Sequence, residues 1–325
     1  MLRRLSIPLL LALAGCATTK DEHIVPFTAE QRQAFFARAR PPQAYGLTVY
    51  STENGPVFAG AHRLHQGDVA MLGFEASGSA DAPVVRITAR GDQHVTALLD
   101  TSSRENWVIP TAALRMGLTA LSGPNPYETR AGHVYDEVGG YAGLVHKITL
   151  EELHAENIVF YTRAAFGPLG PPARWLDNPP PQAVLGTAFL RAFSYMQIDF
   201  RARLALLAST QAFKSPPAET LVAKVPLKDV RGVLGVEGLM DGEPMTLILD
   251  TGGDFELVMN EPPAPTVRRL SVGELVFPRE VSVVASMEQG LGETSYPRIG
   301  RKLLSRYRIS IDFRNKWVYF ERPAS

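Results

Sequence analysis

The chain has 325 residues, 45% of them hydrophobic and 20% charged, which is enough to bury one large or two medium-sized cores. Its 33 basic and 33 acidic residues balance without a long run of either sign, so composition excludes the basic surface that a nucleic-acid partner would need. The single cysteine excludes an internal disulfide and leaves the fold to stand on its core.

The opening segment, MLRRLSIPLLLALAGC, has a basic start at Arg3 and Arg4, an apolar run too short to span a bilayer as a mature helix, and then small residues. It reads as an export signal over residues 1–15. The ending Leu13-Ala14-Gly15-Cys16 resembles the lipobox of bacterial lipoproteins, in which the cysteine becomes the lipidated first residue. Residues 16–44 are then expected to be the lipidated Cys16 and a tether, with the membrane as a partner through the lipid. Ala17 lacks the aspartate that signals inner-membrane retention in the enterobacterial pattern. The expected location is therefore the cell envelope, anchored in the outer membrane and facing the periplasm.

Further along, VVRITARGDQHVTALLDT at 84–101 reads as strand, tight glycine-containing turn and strand, ending on Asp100-Thr101-Ser102-Ser103 and followed by another apolar segment at Trp107. The stretch 133–162 predicts a hairpin with a glycine tip at Gly139-Gly140. Pro-rich residues 167–182 read as a solvated loop or the rim of a cleft. At 184–207 a glycine, Gly186, precedes the apolar pair Phe189-Leu190, a strand containing I-D-F-R, a polar turn and a last apolar strand. The sequence KSPPAET marks a linker, placed at 214–223.

The same order of elements then returns. GVEGLMDGEPMTLILDT at 235–251 is again strand, turn and strand, ending on Asp250-Thr251-Gly252-Gly253, and residues 298–320 repeat the glycine (Gly300), the apolar pair Leu303-Leu304, I-D-F-R and the final strand. The two acids lie 150 residues apart. A carboxylate ending an apolar strand is costly to bury alone, so the repeat suggests that each acid is met by the other.

Paired D-T-[SG] triplets, each with a downstream apolar-glycine element and closing hairpin, resemble the aspartic peptidases of the pepsin and retropepsin clan. The first copy is close to the pattern D-T-G-S-S-x-x-W-V, with Trp107 and Val108 in place. The resemblance implies a mainly β, bilobal pepsin-like acid protease fold with two related barrel-like lobes, at 45–213 and 224–325, and a cleft between them. It implies an endopeptidase acting on peptide or protein substrates through Asp100, Asp250 and an activated water, without a cofactor. Two carboxylates face to face share one proton, so one can act as base while the other donates.

The resemblance also assigns supporting roles. Thr101 and Thr251 hydrogen-bond across the junction, Gly252 allows a tight loop, Ser102 stands where a glycine is usual, and Ser103 is the hydroxyl donor to the dyad. The 133–162 hairpin becomes the flap, with Tyr135 or Tyr141 as its tyrosine beside Gly139 and Gly140. The second half offers no such stretch, and one flap over a shared cleft implies a monomer. Gly253 and Arg298 depart from the pattern: a hydroxyl residue or alanine is more usual at the first position and an apolar residue at the second.

Two rival readings stay open. One is a non-catalytic, lipid-anchored peptide-binding module on the same fold, favoured by Gly253 and Arg298 and opposed by the two Asp-Thr pairs and Ser103. The other is the phosphate-binding hairpin of actin-like kinases, which LILDTGGDFELV resembles, although only 75 residues follow Asp250. The seven histidines show no metal-ligand spacing, so no metal is expected. Asp199 and Asp312 precede turns and are expected to bind local backbone.

Overall fold

A computed structural model describes residues 28–52, 55–65, 67–76, 82–122, 128–129, 140–162, 181–260, 262–277, 279–285 and 296–323. The export signal, Cys16 and residues 167–180 of the Pro-rich stretch lie outside the described residues, as do Tyr135 and Gly139.

Helix α1 (Ala29–Ala37) opens on a capping box, in which Thr28 and Gln31 satisfy each other's backbone N–H. Strands β1 (Thr48–Thr52) and β2 (Gly55–Ala59) form a hairpin apart from the other sheets, and β3 (Arg63–Leu64) and β4 (Val69–Gly73) follow. Strands β5 (Val84–Thr88) and β6 (His94–Leu99) lead to the first acid. After it come β7 (Trp107–Val108), helix α2 (Pro110–Arg115), β8 (Thr119–Ala120), β9 (Glu128–Thr129), β10 (Gly140–Leu150), β11 (Leu153–Thr162) and β12 (Ala183–Leu185). A short helix α3 (Thr187–Leu190) then enters the hairpin of β13 (Tyr195–Asp199) and β14 (Leu204–Ala208).

The second half begins with β15 (Leu221–Pro226) and β16 (Lys228–Val230). Strands β17 (Val233–Met240) and β18 (Glu243–Leu249) are joined by Asp241-Gly242, both at positive φ, as a two-residue hairpin turn of right-twisted strands demands. Beyond the second acid lie β19 (Leu257–Met259), β20 (Thr266–Val267), β21 (Leu270–Val272), β22 (Leu275–Val276), β23 (Val281–Ala285) and β24 (Arg298–Ile299). Helix α4 (Arg301–Leu304) precedes the closing hairpin β25 (Arg308–Asp312) and β26 (Trp317–Glu321).

The chain is mainly β, and its internal repeat is visible in the topology. One sheet contains the order β11-β7-β12-β6-β5-β10 and another the order β23-β19-β24-β18-β17-β21. Directions match pair by pair. Strand β7 is parallel to β11 and antiparallel to β12, which is parallel to β6; β19, β23, β24 and β18 repeat this arrangement. A third sheet, β15-β26-β25-β13-β14-β4, takes strands from both halves, with Ile198 opposite Ile309 at its centre. In β13 the pleat buries Met196 and Ile198 while Tyr195, Gln197 and Asp199 stay partly exposed.

One continuous apolar cluster joins the three sheets, from Ile87 and Leu99 through Ile198 and Ile309 to Leu249 and Leu270. Each such fully buried side chain contributes about 1.5–3 kcal/mol relative to exposure.

Three boundaries differ from the sequence reading. Residues 29–44 are not a tether: Phe35 of α1 is buried in the main core, the Arg40 N–H donates to the carbonyl of Ala120, and that of Ser122 donates back to the carbonyl of Arg40. The polar surface of α1 concealed this, because a single buried aromatic docks it. The linker is shorter than 214–223, since β15 already pairs with β26 from Leu221. The turn of the 140–162 hairpin lies at Glu151-Glu152, where Leu150 pairs with Leu153, not at Gly139-Gly140. Gly140 is itself in strand β10, paired with Thr129, and Tyr141 pairs with both Glu128 and Thr162.

Candidate active site

Each acid follows the last residue of a central strand and enters a loop fixed in the same way twice. The Asp100 N–H donates to the Leu185 carbonyl at 3.1 Å and the Asp250 N–H to that of Ile299 at 2.9 Å, so each acid continues the parallel pairing of its strand with the segment before a glycine. Beyond that glycine, Thr187 N–H reaches the Ser103 carbonyl and Arg301 N–H the Gly253 carbonyl, both at 2.8 Å. Both glycines are required by close approach. A Cβ on Gly186 would stand 2.3 Å from the Glu105 carbonyl oxygen, and one on Gly300 would be 2.3 Å from that of Phe255.

The two loops are tied to each other by their threonines. Thr101 Oγ1 donates to the Leu249 carbonyl at 2.5 Å, and Thr251 Oγ1 to the Leu99 carbonyl at 2.7 Å. In return, each hydroxyl accepts the backbone N–H of the opposite threonine, at 3.1 and 3.2 Å. The hydroxyl and the N–H of each threonine are thus satisfied across the junction between the two loops.

This cross-link sets the acids side by side. Asp100 and Asp250 are 0% and 1% exposed, and a Cβ on Gly252 of the second loop would lie 3.0 Å from the Asp100 carboxyl carbon. Asp100 Oδ1 accepts from the Ser102 N–H and hydroxyl, both at 2.8 Å. Asp250 Oδ1 accepts from the N–H groups of Gly252 and Gly253, at 3.1 and 2.7 Å. Oδ2 of each acid accepts no hydrogen bond from the described residues.

Burial raises the pKa of both acids. For Asp100, burial and then the neighbouring Asp250 charge push it up to about 7, against smaller opposing effects of the Ser102 donors and Arg298. For Asp250 the rise from burial is opposed first by Arg298, then by the Gly253 N–H, Ser102 and Arg301.

Two arginines accompany the second loop. Arg298 Nη1 is 3.8 Å from Asp250 Oδ2, and its guanidinium carbon is 5.9 Å from the Phe255 ring centroid. Arg301, buried, donates to the Gly252 carbonyl at 3.0 Å and pairs with Asp254 at 3.3 Å.

Of the residues singled out from sequence, the structure brings together Asp100, Asp250, Thr101, Thr251, Ser102 and Gly252. It does not bring Ser103 to the dyad: its hydroxyl donates to the Glu105 carbonyl at 2.9 Å, and the hydroxyl on Asp100 comes from Ser102 one position earlier.

Asp199 and Asp312 accept from the backbone N–H groups of Ala202 and Asn315, which accounts for them locally. Sequence reasoning missed Asn106, whose side chain donates to Val159 and His62 and accepts from Gly186 N–H, bracing the first loop. It also missed the Arg301–Asp254 pair, which the spacing Asp250-x-x-x-Asp254 and Gly300-Arg301 could have signalled. No group of acidic, histidine or cysteine side chains among the described residues could hold a metal ion. A cavity of about 680 Å³ under the β1–β2 hairpin, lined by His62, Arg104, Arg191 and Asp229 among others, includes neither acid.

Two outcomes follow from this geometry. Thr101→Val and Thr251→Val should each destabilise the protein by about 1–3 kcal/mol, because a buried N–H and a buried carbonyl lose their partner. The double variant should cost clearly less than the sum, since the first change already loosens the junction that holds the second threonine's partners and removes the contact between the two hydroxyls; urea unfolding of the three variants measures this, and strict additivity would refute a shared cross-link. The second outcome concerns pH. The Asp100 carboxyl takes up its proton more tightly folded than unfolded, so its contribution to stability is fully present below about pH 4 and is lost as pH rises through about 7. Asp100→Asn should flatten that decline and leave the variant more stable than the unmodified protein at pH 8, as read from thermal melts across pH.

No family model matches this chain, and no curated protein matches it in sequence.

Proposed function

We propose that this protein is an aspartic endopeptidase of bilobal, pepsin-like architecture that cleaves peptide bonds with an Asp100–Asp250 dyad and a water. The observation that carries this reading is the pair of buried carboxyls, cross-linked through Thr101 and Thr251, each held at Oδ1 and left with Oδ2 unbonded. Held so, the acids share one proton. One carboxylate takes a proton from the water as its oxygen attacks the scissile carbonyl carbon, and the other gives its proton to the carbonyl oxygen. Collapse of the tetrahedral adduct breaks the C–N bond, and the amine leaves with a proton from the dyad. The reaction needs no cofactor, and a single chain supplies both acids, so a monomer suffices.

A second reading, a peptide-binding module without turnover, is favoured by one observation: Arg298 beside Asp250 can neutralise the charge that the reaction requires. Export and anchoring complete the proposal, with Cys16 lipidated and the domain held at the outer membrane, facing the periplasm. The tether is then shorter than sequence suggested, because α1 begins at Ala29.

Cleavage of a diverse peptide library by the form lacking residues 1–16 should follow a bell-shaped pH profile. Asp100→Asn or Asp250→Asn should each lower kcat by at least about 10³-fold, and combining them should add little, as for residues acting as a unit. Peptides bound but never cut by the unmodified protein would select the binding module, and undiminished cleavage in both variants would place the chemistry elsewhere. Full-length protein should incorporate a palmitate analogue in bacterial cells and Cys16→Ser should not; label retained by the serine variant would defeat the anchor.

A further inference from the structure

The two acids are alike in sequence but unequal in surroundings. Asp100 Oδ1 is held by one backbone N–H and one hydroxyl, both from Ser102. Asp250 Oδ1 is held by two backbone N–H groups, and its Oδ2 faces the Arg298 guanidinium at 3.8 Å. Arg298 is 7% exposed, so its charge is little screened by solvent. It reaches this place because β24 pairs parallel with β18 and sets Arg298 opposite Ile248, two residues before the acid. Arg301 adds a second positive charge behind the same loop, tied to the Gly252 carbonyl and partly balanced by Asp254. The first copy has no counterpart: the positions matching Arg298 and Arg301 are Val184 and Thr187, both uncharged.

We infer that Arg298 is a positioning residue that keeps the negative charge of the dyad on Asp250 and the shared proton on Asp100. The inference rests on the dyad reading above and assigns its roles: Asp250 takes the water's proton, and Asp100 gives its own to the carbonyl oxygen. The charged and titratable groups facing Asp250 among the described residues are Asp100, Arg298 and Arg301; those acting on Asp100 are Asp250 and, more weakly, Arg298. The balance therefore favours charge on the second acid. An opposite charge within about 4–6 Å lowers a carboxyl pKa by about 1–3 units. Arg298 thus also extends the range over which the dyad is singly protonated toward lower pH.

The test titrates each acid with the other removed, by NMR of protein carrying carboxyl-¹³C aspartate, so that no substrate is needed. In Asp100→Asn the remaining Asp250 should bind its proton at least tenfold more weakly than Asp100 does in Asp250→Asn. Adding Arg298→Met to each should remove most of that difference by raising Asp250, and Arg298→Lys should restore part of it. Equal titration of the lone acids, the reverse order, or a difference that Arg298→Met leaves unchanged would overturn the assignment. The comparison of the two Asn variants alone decides the order even if Arg298→Met fails to fold. A preparation that shows the expected order yet cuts no peptide would count against the peptidase reading and its acid and base roles, and leave only the placement of charge by Arg298 standing.

Discussion

The reciprocal hydrogen bonds between Thr101 and Thr251 are the constraint on which the rest depends. Each threonine is buried, and each meets its polar needs through the other copy of the same dipeptide and through the carbonyl before the opposite acid. Without that exchange, two loop N–H groups and two carbonyls would be buried unpaired, at a cost of about 1–3 kcal/mol each. The bonds therefore fix the position of one acid-bearing loop against the other. The acids follow directly, because nothing but a threonine separates each from its loop's glycine or serine.

Placing two carboxyls in a region without solvent is unfavourable, and the protein offsets it unequally. Backbone N–H groups and the Ser102 hydroxyl turn toward one oxygen of each acid, which leaves the other oxygens buried without a hydrogen bond from the described residues. The arginines then break the symmetry that the repeat would otherwise impose. A duplicated loop supplies equal groups, and Arg298 and Arg301 make them unequal. General acid–base chemistry needs that inequality, since one group must give a proton while the other takes one.

Much of this was legible in the sequence because a duplicated pattern is self-checking. The acids, the two threonines, the glycines at 186 and 300 and the I-D-F-R hairpins recur in the same order, and no local propensity is needed to align them. The extent of α1 was not legible: its polar residues match those of a tether, and only the tertiary contact of Phe35 distinguishes the two. The exchange of roles between Ser102 and Ser103 was hidden because adjacent serines differ only in where the turn points them. Arg298 could be seen as an anomaly but not as a neighbour of Asp250, since the parallel pairing of β24 with β18 joins segments about fifty residues apart. The turn at Glu151-Glu152 was misplaced because two glycines make a stronger local signal than two glutamates, while the pairing of β10 with β11 is set by apolar residues along both strands.

The six-stranded sheet has a consequence for how the chain reaches this structure. Its central contact pairs β13 of the first half with β25 of the second, and one edge joins β4 to β14 across more than half of the first half's length. The β4–β14 pairing lies within the first half, but the pairings of β13 with β25 and of β15 with β26 cannot form until those last two strands have been made. Loop closure on this scale is paid before the contacts repay it, so assembly is slow and late. The six-stranded sheet therefore makes one folding unit of the two halves, with β13 holding an unpaired edge until β25 arrives to cover it.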